Sequence, residues 1–295
     1  MTLTQLEIFA LIADLGSFTA AANRLGISQS AVSHALRAFE QELGIELLQR
    51  RHGGITLTEA GQQTLNQART LLGVAETMRQ TAAEARGLQR GTLRIGSFGP
   101  TSSVRLLPTI LTAFRTTHPG IDVFIDEGPD RQILHWLDER RIDLGFVVLP
   151  HERFDTHALA QDQLVALLAP GHPLATQASV TLPDLCNDAF ILTEAGSAEL
   201  VTSLFAQAGC TPRIRYRYTQ LLNTLDAVAR GDGVTVVAES ALPRQTGANW
   251  TARPLTPPAL RSIGLAMLDE SKCSPAARAF VKIALQLERA GALTL

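Results

Sequence analysis

The chain has 295 residues, of which 45% are hydrophobic and 18% charged, and its formal net charge at pH 7 is −2. This is the composition of an ordinary globular protein of two or three domains, and the near-neutral charge excludes a strongly basic nucleic-acid-binding chain. No apolar run approaches the length of a membrane span, and the N-terminus enters a helical pattern directly instead of a signal peptide. We therefore expect a cytoplasmic protein.

The three cysteines are odd in number and far apart in sequence. This pattern argues against a disulfide framework and against a zinc site. We expect small buried residues, with a redox switch as the alternative. The three are Cys186, Cys210 and Cys273.

The N-terminal part predicts three helices in succession. Apolar residues at helical spacing indicate a first helix at residues 5–14. The second helix, at residues 18–25, is rich in alanine, and Gly26 can adopt the left-handed conformation that ends it. Ser28 is a good N-cap for a third helix that runs from residue 29 to about residue 40.

Three positions give the second and third helices the spacing of a helix-turn-helix. Ala22 is small where the two helices cross, Gly26 lies four residues on in the turn, and Val32 follows six residues later and faces the second helix. Because other helical bundles contain the same spacing, this pattern alone does not separate DNA binding from a plain bundle. An inner apolar face is predicted from Ala22, Leu25, Ile27, Val32, Ala35, Leu36 and Phe39.

Polar residues occupy the outer face of the same helices, where they can reach base edges and phosphates in a major groove. Positive charge is concentrated near this face although the N-terminal third is not strongly basic. Local charge at the contact is what the phosphate interaction depends on. The predicted DNA contacts in the helices are Thr19, Gln29, Ser30, Ser33, His34 and Arg37.

A β-hairpin wing is predicted after Gly44. Two short extended pieces at residues 47–51 and 55–57 flank a His-Gly-Gly turn. Arg50 and Arg51 lie on this wing, and we expect them over the sugar-phosphate backbone.

A long helix is predicted from residue 58 to about residue 88. Its apolar residues recur at three- and four-residue steps, which favours a seam for a partner helix and hence a homodimer. The alternative is an amphipathic helix packed on its own domain, but at about 45 Å the helix is long for that. The predicted seam consists of Leu65, Ala68, Leu72, Ala75, Met78, Ala82 and Ala85.

Strands and helices alternate after a polar hinge at residues 86–91. One series of β-α-β units lies within residues 92–149 and a second within residues 164–239, while a final strand and helix follow within residues 261–290. Repeated β-α-β units predict a mostly parallel sheet with helices on both faces. The leftover strand and helix suggest that the chain crosses between two lobes and returns, with a small-ligand cleft between them.

Two predicted helix N-termini combine hydroxyls, backbone N–H groups and the helix dipole, which suits anions. One opens a helix at residues 102–117, and the other opens a helix at residue 198. Facing each other across a cleft, they would suit a small carboxylate or a similar polar metabolite, although each hydroxyl can also be a plain N-cap. The candidate contacts are Thr101, Ser102, Ser103, Thr193, Gly196 and Ser197, with Glu127 and Phe146 near the carboxyl ends of strands.

Enzyme chemistry is not indicated. The glycine pairs at 96/99 and 231/233 lack the rest of a phosphate-binding motif, and no nucleophile elbow is present. His151, Asp155 and His157 are a weak metal candidate, because their segment has the pattern of an exposed loop. We predict no catalytic residue, cofactor or metal; a small-molecule-binding or catalytic α/β protein with an accessory helical module is the alternative.

The chain resembles the LysR-type transcriptional regulators over essentially its whole length. The specific part is FTAAANRLGISQSAVSHALRAFEQELGIELLQR followed by LTEAG, with weaker support from RLLPTILTAF, RIDLGF, APGHPLA and VARGDGVTVVAES. The resemblance implies a winged helix-turn-helix at residues 1–58, a dimerising linker helix at 59–89 and a periplasmic-binding-protein-like effector domain at 90–295. The lobes would be residues 90–162 with 261–295, and residues 163–260.

The same resemblance implies what the protein does and with which partners. It implies sequence-specific binding of double-stranded DNA and control of promoters by a small-molecule effector in the interlobe cleft. It also implies a homodimer through the linker helix that assembles further into a homotetramer. The family places effectors at positions that match Thr101, Ser102, Thr193 and Ser197.

Overall fold

The computed structural model describes residues 1–51, 54–86, 90–194, 198–244 and 249–295, with Arg50 and Arg51 described by their backbone. The chain divides into two units. The first comprises Met1–Thr92 and Asp138–Arg141, and the second comprises Leu93–Leu137 and Ile142–Leu295. The domain boundaries at 58/59 and 89/90, and those of the lobes, stay predictions.

Three helices around one apolar core begin the first unit. Thr2 caps the first helix in a capping box with Gln5, and the rings of Phe9 and Phe39 pack 5.9 Å apart in the core. The three predicted helices are confirmed, although the first and third are longer than predicted. Their bounds are α1 (Leu3–Leu15), α2 (Phe18–Leu25) and α3 (Gln29–Leu43).

The turn between α2 and α3 has the predicted chemistry. Gly26 has φ 67°, a left-handed conformation that suits glycine, and the N–H of Ile27 donates to the carbonyl of Ala22 at 3.1 Å. The inner-face prediction is wrong for Ile27, whose side chain is 42% exposed. This residue lies between the cap of one helix and the cap of the next, so helical periodicity does not set its direction.

The wing and a long helix complete the first unit. Strands β1 (Leu48–Arg51) and β2 (Gly54–Leu57) pair antiparallel with Leu48 opposite Leu57. The turn residues predicted at 52 and 53 lie outside the described residues. Thr58 caps α4 (Glu59–Ala85), and its predicted end at residue 88 also lies outside them. A Cβ at Gly61 would lie 2.0 Å from the carbonyl oxygen of Leu47, so glycine permits this close approach.

The predicted seam of α4 is wrong in its N-terminal half. Leu65 and Ala68 are buried in the helix-turn-helix core, and Leu72 packs against that core. The large apolar side chains that α4 leaves exposed are Leu71, Val74 and Met78, which are between 44% and 68% exposed. Because these three recur at steps of three and four residues, they share one face of the helix. We call them the exposed α4 row.

Helices and strands alternate through the second unit, with a short additional helix, α7 (Leu182–Leu185), that the sequence did not predict. Their bounds are β3 (Gly91–Ser97), α5 (Leu107–Thr117), β4 (Ile121–Glu127), α6 (Asp130–Asp138), β5 (Leu144–Leu149), β6 (Asp155–Leu168), α7 (Leu182–Leu185), β7 (Ala189–Thr193), α8 (Ala198–Gln207), β8 (Arg213–Tyr218), α9 (Leu221–Ala229), β9 (Thr235–Ala238), β10 (Thr251–Met267) and α10 (Pro275–Arg289).

One predicted helix differs in form. Residues predicted as a single helix at 102–117 form a π-helical turn at Thr101–Leu106, followed by α5. Pro108 lies in the first turn of α5. A proline has no N–H to donate and is favoured at the start of a regular helix, so the α-helical geometry begins there.

The main sheet is mixed, and the prediction of a mostly parallel sheet is wrong for it. Its strand order is β4-β3-β5-β10-β6-β9, with β3 and β5 parallel. Strand β10 is antiparallel to both β5 and β6, and β6 is antiparallel to β9. Strands β7 and β8 form a separate parallel pair.

Two lobes with separate apolar cores make up this unit. One core includes Phe114 and Phe280, with ring centroids 5.4 Å apart, and the other includes Phe190 and Phe205, 5.1 Å apart. Strands β6 and β10 contribute side chains to both cores. They are therefore the crossing and return that the sequence predicts, and we call them the hinge strands. Of the described helices, none is long and apolar enough to span a bilayer.

Candidate functional site

The N-terminal half of α3 presents a polar face away from the core. Ser28 caps the helix by accepting the N–H of Ala31 at 3.2 Å. Val32, Leu36 and Phe39 are buried on the opposite side. This burial fixes the rotation of the helix about its axis. Of the residues predicted to contact DNA, the exposed ones are Thr19, Gln29, Ser30, His34 and Arg37, while Ser33 is half-buried.

Two of these side chains form a hydrogen bond with each other. The Gln29 amide Nε2 donates to the Ser33 hydroxyl at 3.0 Å, one helical turn away. The paired geometry limits the rotamers of Gln29 on the outer face. A side-chain amide can form two hydrogen bonds with the major-groove edge of adenine, which makes Gln29 the strongest base-reading candidate on this face.

Glu40 connects α3 to the wing. One oxygen of its carboxylate accepts the backbone N–H groups of Leu47 at 2.8 Å and Leu48 at 3.3 Å. The contact fixes the position of the start of β1 relative to α3. It therefore also sets where the backbone of Arg50 and Arg51 lies in the hairpin. In the sequence Glu40 is visible only as a charge that offsets nearby arginines, so its role as a positioning residue was missed.

In the second unit, the Thr101 hydroxyl is already engaged. Its side chain is buried, and Oγ1 accepts from the Arg261 guanidinium at 2.6 Å. The Thr101 hydroxyl also lies 2.8 Å from that of Ser240. Because Ser240 donates its own proton to Asp162, Thr101 is the donor in this pair. Thr101 thus links the two lobes.

Ser102 is a correction to the predicted effector contacts. It is fully buried, and its hydroxyl donates to the carbonyl of Phe98 at 2.6 Å and accepts the Phe98 N–H at 2.8 Å. These bonds use the hydroxyl to hold the loop after β3. A ligand would have to replace them, so Ser102 stabilises the loop.

Phe146 is a second correction, since it is fully buried in the first-lobe core, where a ligand cannot reach it. Ser103 is half-buried, with its hydroxyl 2.9 Å from that of Ser97. Glu127 is exposed at the end of β4. Gly196 and Ser197 lie outside the described residues.

Thr101 and Thr193 line the same cavity, which is very small. They line one cavity of about 10 Å³ together with Arg261. Such a cavity has room for about one water molecule. In this conformation, the point where the two predicted helix openings face each other does not admit a metabolite.

A buried ion pair on the hinge strands lies beside this point. Arg261 on β10 is directly opposite Asp162 on β6, and their side chains form an ion pair at 2.8 Å. The Ser240 backbone N–H donates to the same carboxylate at 3.2 Å. We call Asp162, Ser240, Arg261 and Thr101 the hinge network. In the sequence, Asp162 and Arg261 are each visible only as a charged residue next to the apolar run of a predicted strand.

A larger cavity lies between the lobes. Its volume is about 620 Å³, which is within the range of small-molecule sites. Pro129, Asp130 and Arg131 line it from the first lobe, whereas Leu192, Glu194 and α8 line it from the second. Its charged side chains are Asp130, Arg131, Glu194, Glu199 and Arg217.

Asp130 is the most perturbed of these groups. Burial raises the pKa of its carboxyl from 3.8 to about 7; Arg261 opposes that shift and Glu199 adds to it. Its Oδ1 is buried and has no hydrogen-bond partner among the described residues. An unsatisfied buried oxygen at a cavity wall is an available partner for a ligand's hydrogen-bond donor. In the sequence, Asp130 is visible only as an acid at the start of a helix.

The metal candidate from the sequence is not assembled. Within the described part of the chain, no three histidine, cysteine, aspartate or glutamate side chains are grouped so as to hold a metal ion. His157 lies 3.2 Å from Glu270 on the hinge-strand side of the first lobe.

Together these features define a class of protein. A winged helix-turn-helix presents a polar face, a long helix leaves an apolar row exposed, and a two-lobed α/β unit encloses a cavity beside a hinge. This is the design of a DNA-binding regulator that senses a small molecule.

Comparison with known proteins identifies the family. Residues 3–62 match the family model for the bacterial regulatory helix-turn-helix protein, lysR family, and residues 86–288 match that for the LysR substrate binding domain. The chain is 33% identical over 291 residues to YvbU of Bacillus subtilis (strain 168), an uncharacterized HTH-type transcriptional regulator, covering 97% of this chain and 99% of that protein.

Solved structures agree. Full-length OxyR from Pseudomonas aeruginosa shares the fold with a TM-score of 0.74 at 24% identity, covering 98% of this chain and 95% of that one. CbnR, a LysR family transcriptional regulator, has a TM-score of 0.66 at 26% identity, covering 97% and 99%. CbnR complexed with its target DNA has a TM-score of 0.55 at 29% identity, covering 98% and 100%.

The chain belongs to the LysR family of transcriptional regulators. It is a DNA-binding transcriptional regulator with an effector-binding domain. Members of the family are regulators rather than enzymes.

Proposed function

We propose that the outer face of α3 reads promoter DNA in the major groove. The observation that carries this proposal is the burial of Val32, Leu36 and Phe39, which turns the polar side of the helix outward. Glu40 supports the wing beside it. A regulator of bacterial promoters acts where the chromosome is, so we propose the cytoplasm as its compartment. The proposed contacts are Thr19, Gln29, Ser30, Ser33, His34, Arg37, Arg50 and Arg51.

The exposed α4 row is the proposed surface for a second copy. Leu71, Val74 and Met78 cover about two turns of one helix face. An exposed apolar stripe of this length on a long helix favours pairing with another helix. Two copies would place two α3 helices on one duplex, and we propose that the dimers assemble further into a tetramer.

The larger cavity is the proposed effector site. We propose a small polar metabolite that carries a carboxylate, which Arg131 and Arg217 would attract, and a hydrogen-bond donor, which the unsatisfied Asp130 oxygen would accept. The carboxylates at Glu194 and Glu199 disfavour a ligand that is only anionic. Thr101, Ser103, Glu127, Thr193, Gly196 and Ser197 stay proposed contacts for a conformation in which the small cavity opens.

The hinge network is the proposed route from effector to DNA. Arg261 bonds Thr101 and Asp162, and it also acts on the charge of Asp130 in the cavity. A ligand that engages Asp130 or Thr101 therefore changes interactions that hold the hinge strands. It can shift the equilibrium between lobe arrangements only by its difference in affinity for them.

The test begins with DNA that the full-length protein selects from a random duplex library. A sequence motif should be enriched, and fluorescence anisotropy should show Gln29→Ala losing affinity for that motif more than for scrambled DNA. Arg50→Ala, at a proposed phosphate contact, should lose affinity for both. Absence of any enriched motif, or equal losses for the two variants on both duplexes, contradicts the proposed reading face.

A further inference from the structure

Two of the three cysteines enter the β7–β8 pair side by side. In the parallel register of this pair, Ala189 is opposite Arg213. Cys186 and Cys210 each precede their paired residue by three positions. Neighbouring strands lie about 4.8 Å apart. Both cysteines precede the strands, Cys186 at the end of α7 and Cys210 after α8. Disulfides join Cα atoms only about 4.4–6.8 Å apart, so a bridge needs neighbouring segments such as these.

The side chains of the two cysteines are neighbours in the structure. The Cys186 and Cys210 thiols are within hydrogen-bond contact. Both are half-buried and pack against the second-lobe core. The Arg213 guanidinium donates to the Asn187 carbonyl at 3.2 Å, which holds the two incoming segments together. The third cysteine, Cys273, packs against the first-lobe core instead.

We propose that Cys186 and Cys210 form a modification site, a dithiol that low-molecular-weight disulfides oxidise to an intrachain disulfide. One thiolate attacks a sulfur of the small disulfide, giving a mixed disulfide and one released thiol. The other cysteine then attacks the protein sulfur of that mixed disulfide and releases the second thiol. The protein loses two electrons and two protons, and the small disulfide gains them.

The environment of the pair makes this reaction slow at neutral pH. Burial, together with the neighbouring Cys210 thiol, raises the pKa of Cys186 to about 11, while the Thr211 backbone opposes the shift. The thiolate is the nucleophile in thiol–disulfide exchange, so its scarcity limits the rate. The site therefore suits sustained disulfide stress, where exposure is long, better than a rapid response to peroxide.

The bridge would close a loop that carries the second-lobe wall of the larger cavity. Residues 186–210 include β7, with Leu192, and α8, with Glu199, and both side chains line that cavity. A disulfide that joins both ends of this segment limits how far the segment can move. If the larger cavity is the effector site, as proposed above, oxidation restricts the movement of that wall; formation of the bridge itself does not depend on that proposal.

The experiment treats the full-length protein with oxidised glutathione at pH 8.5 and then alkylates the remaining thiols. Trypsin leaves both cysteines in one peptide, residues 154–213, which we expect to be 2 Da lighter than the reduced peptide and to carry neither alkyl group nor glutathione. Further cleavage at Glu194 and Glu199 should leave the two halves joined until reduction. Alkylated Cys186 and Cys210, or stable glutathione adducts on both, would overturn the proposal.

Variants separate this pair from the remaining thiol. Cys273→Ser should still form the bridge and should show the same rise in melting temperature on oxidation, about 10 °C for a loop of this length. Cys186→Ser and Cys210→Ser should each trap one glutathione and show no such rise. The opposite pattern, with a bridge that needs Cys273 or links two chains, assigns the oxidation to another pair. Unchanged selection of DNA by oxidised protein that contains the bridge would leave the site valid and contradict only its effect on the regulator.

Discussion

Removal of the Asp162 carboxylate should destabilise the second unit strongly. Asp162 and Arg261 have side chains only 3% and 2% exposed, at an N–O distance of 2.8 Å. In Asp162→Ala the guanidinium remains buried without its counter-ion, and Ser240 loses the acceptor for both its N–H and its hydroxyl. Loss of one partner from a buried ion pair costs about 3–5 kcal/mol. Since Thr101 still accepts from Arg261, we expect about 4 kcal/mol.

The assay is urea unfolding of the full-length protein followed by circular dichroism, together with thermal melting. At about 2–4 °C per kcal/mol for a unit of this size, the melting temperature should fall by about 10 °C. Lys272→Ala is the matched control, because Lys272 and Asp269 form an ion pair of similar length, 2.6 Å, with Lys272 71% exposed. Exposed pairs of this kind contribute little, so the control should unfold with the wild-type midpoint.

Asp162→Asn distinguishes charge from hydrogen bonding. The amide oxygen can still accept from Ser240, but the charge that compensates Arg261 is lost. We expect a loss close to that of the alanine variant. If Asp162→Ala unfolds at the same midpoint as Lys272→Ala, burial does not strengthen this ion pair, and the hinge network does not stabilise the fold.

Three further changes test other parts of the structure. Val74→Glu, in the middle of the exposed α4 row, should shift the protein to a smaller species in sedimentation velocity, whereas Arg79→Glu at an exposed charged position should not. Thr101→Val removes the acceptor for Arg261 and the donor to Ser240, so it should lower the free energy of unfolding by about 1–3 kcal/mol without any ligand; an unchanged value would show that the hydroxyl is free. Asp130→Asn tests the raised pKa. Because the folded pKa of about 7 lies above the unfolded value of 3.8, protonation stabilises the native state at low pH, and this contribution is lost as pH rises towards 7. The advantage of the Asn variant in urea should therefore grow between pH 5 and pH 8 by about 3 kcal/mol, and a constant difference would contradict the shift.

The helix-turn-helix was predictable because its determinants are local. Ser28 caps the helix that follows it, and Gly26 has the backbone conformation that ends the helix before it. Both effects act over three or four residues, so the sequence contains them directly. Ile27 shows the limit of periodicity, because a residue between two helices follows the phase of neither.

Contacts between distant segments were not predictable in this way. Asp162 and Arg261 are 99 residues apart, and only the antiparallel register of the hinge strands makes them neighbours. An apolar run such as that of β6 has the same composition in a parallel or an antiparallel pair, which is why the mixed sheet was missed. The sequence does not show that Cys186 and Cys210 are neighbours, because their proximity depends on the pairing of β7 with β8.

One side chain connects the proposed sensor to the hinge. The Arg261 guanidinium pairs with Asp162, donates to Thr101, and lowers the pKa of Asp130 against the effect of burial. A ligand that binds ionised Asp130 with a hydrogen-bond donor removes a proton from the cavity and adds negative charge near Arg261. That charge competes with Asp162 and Thr101 for the same guanidinium. Because coupling of this kind is reciprocal, a change at Asp162 that stabilises the lobe arrangement favoured by the ligand must in turn raise the affinity for that ligand.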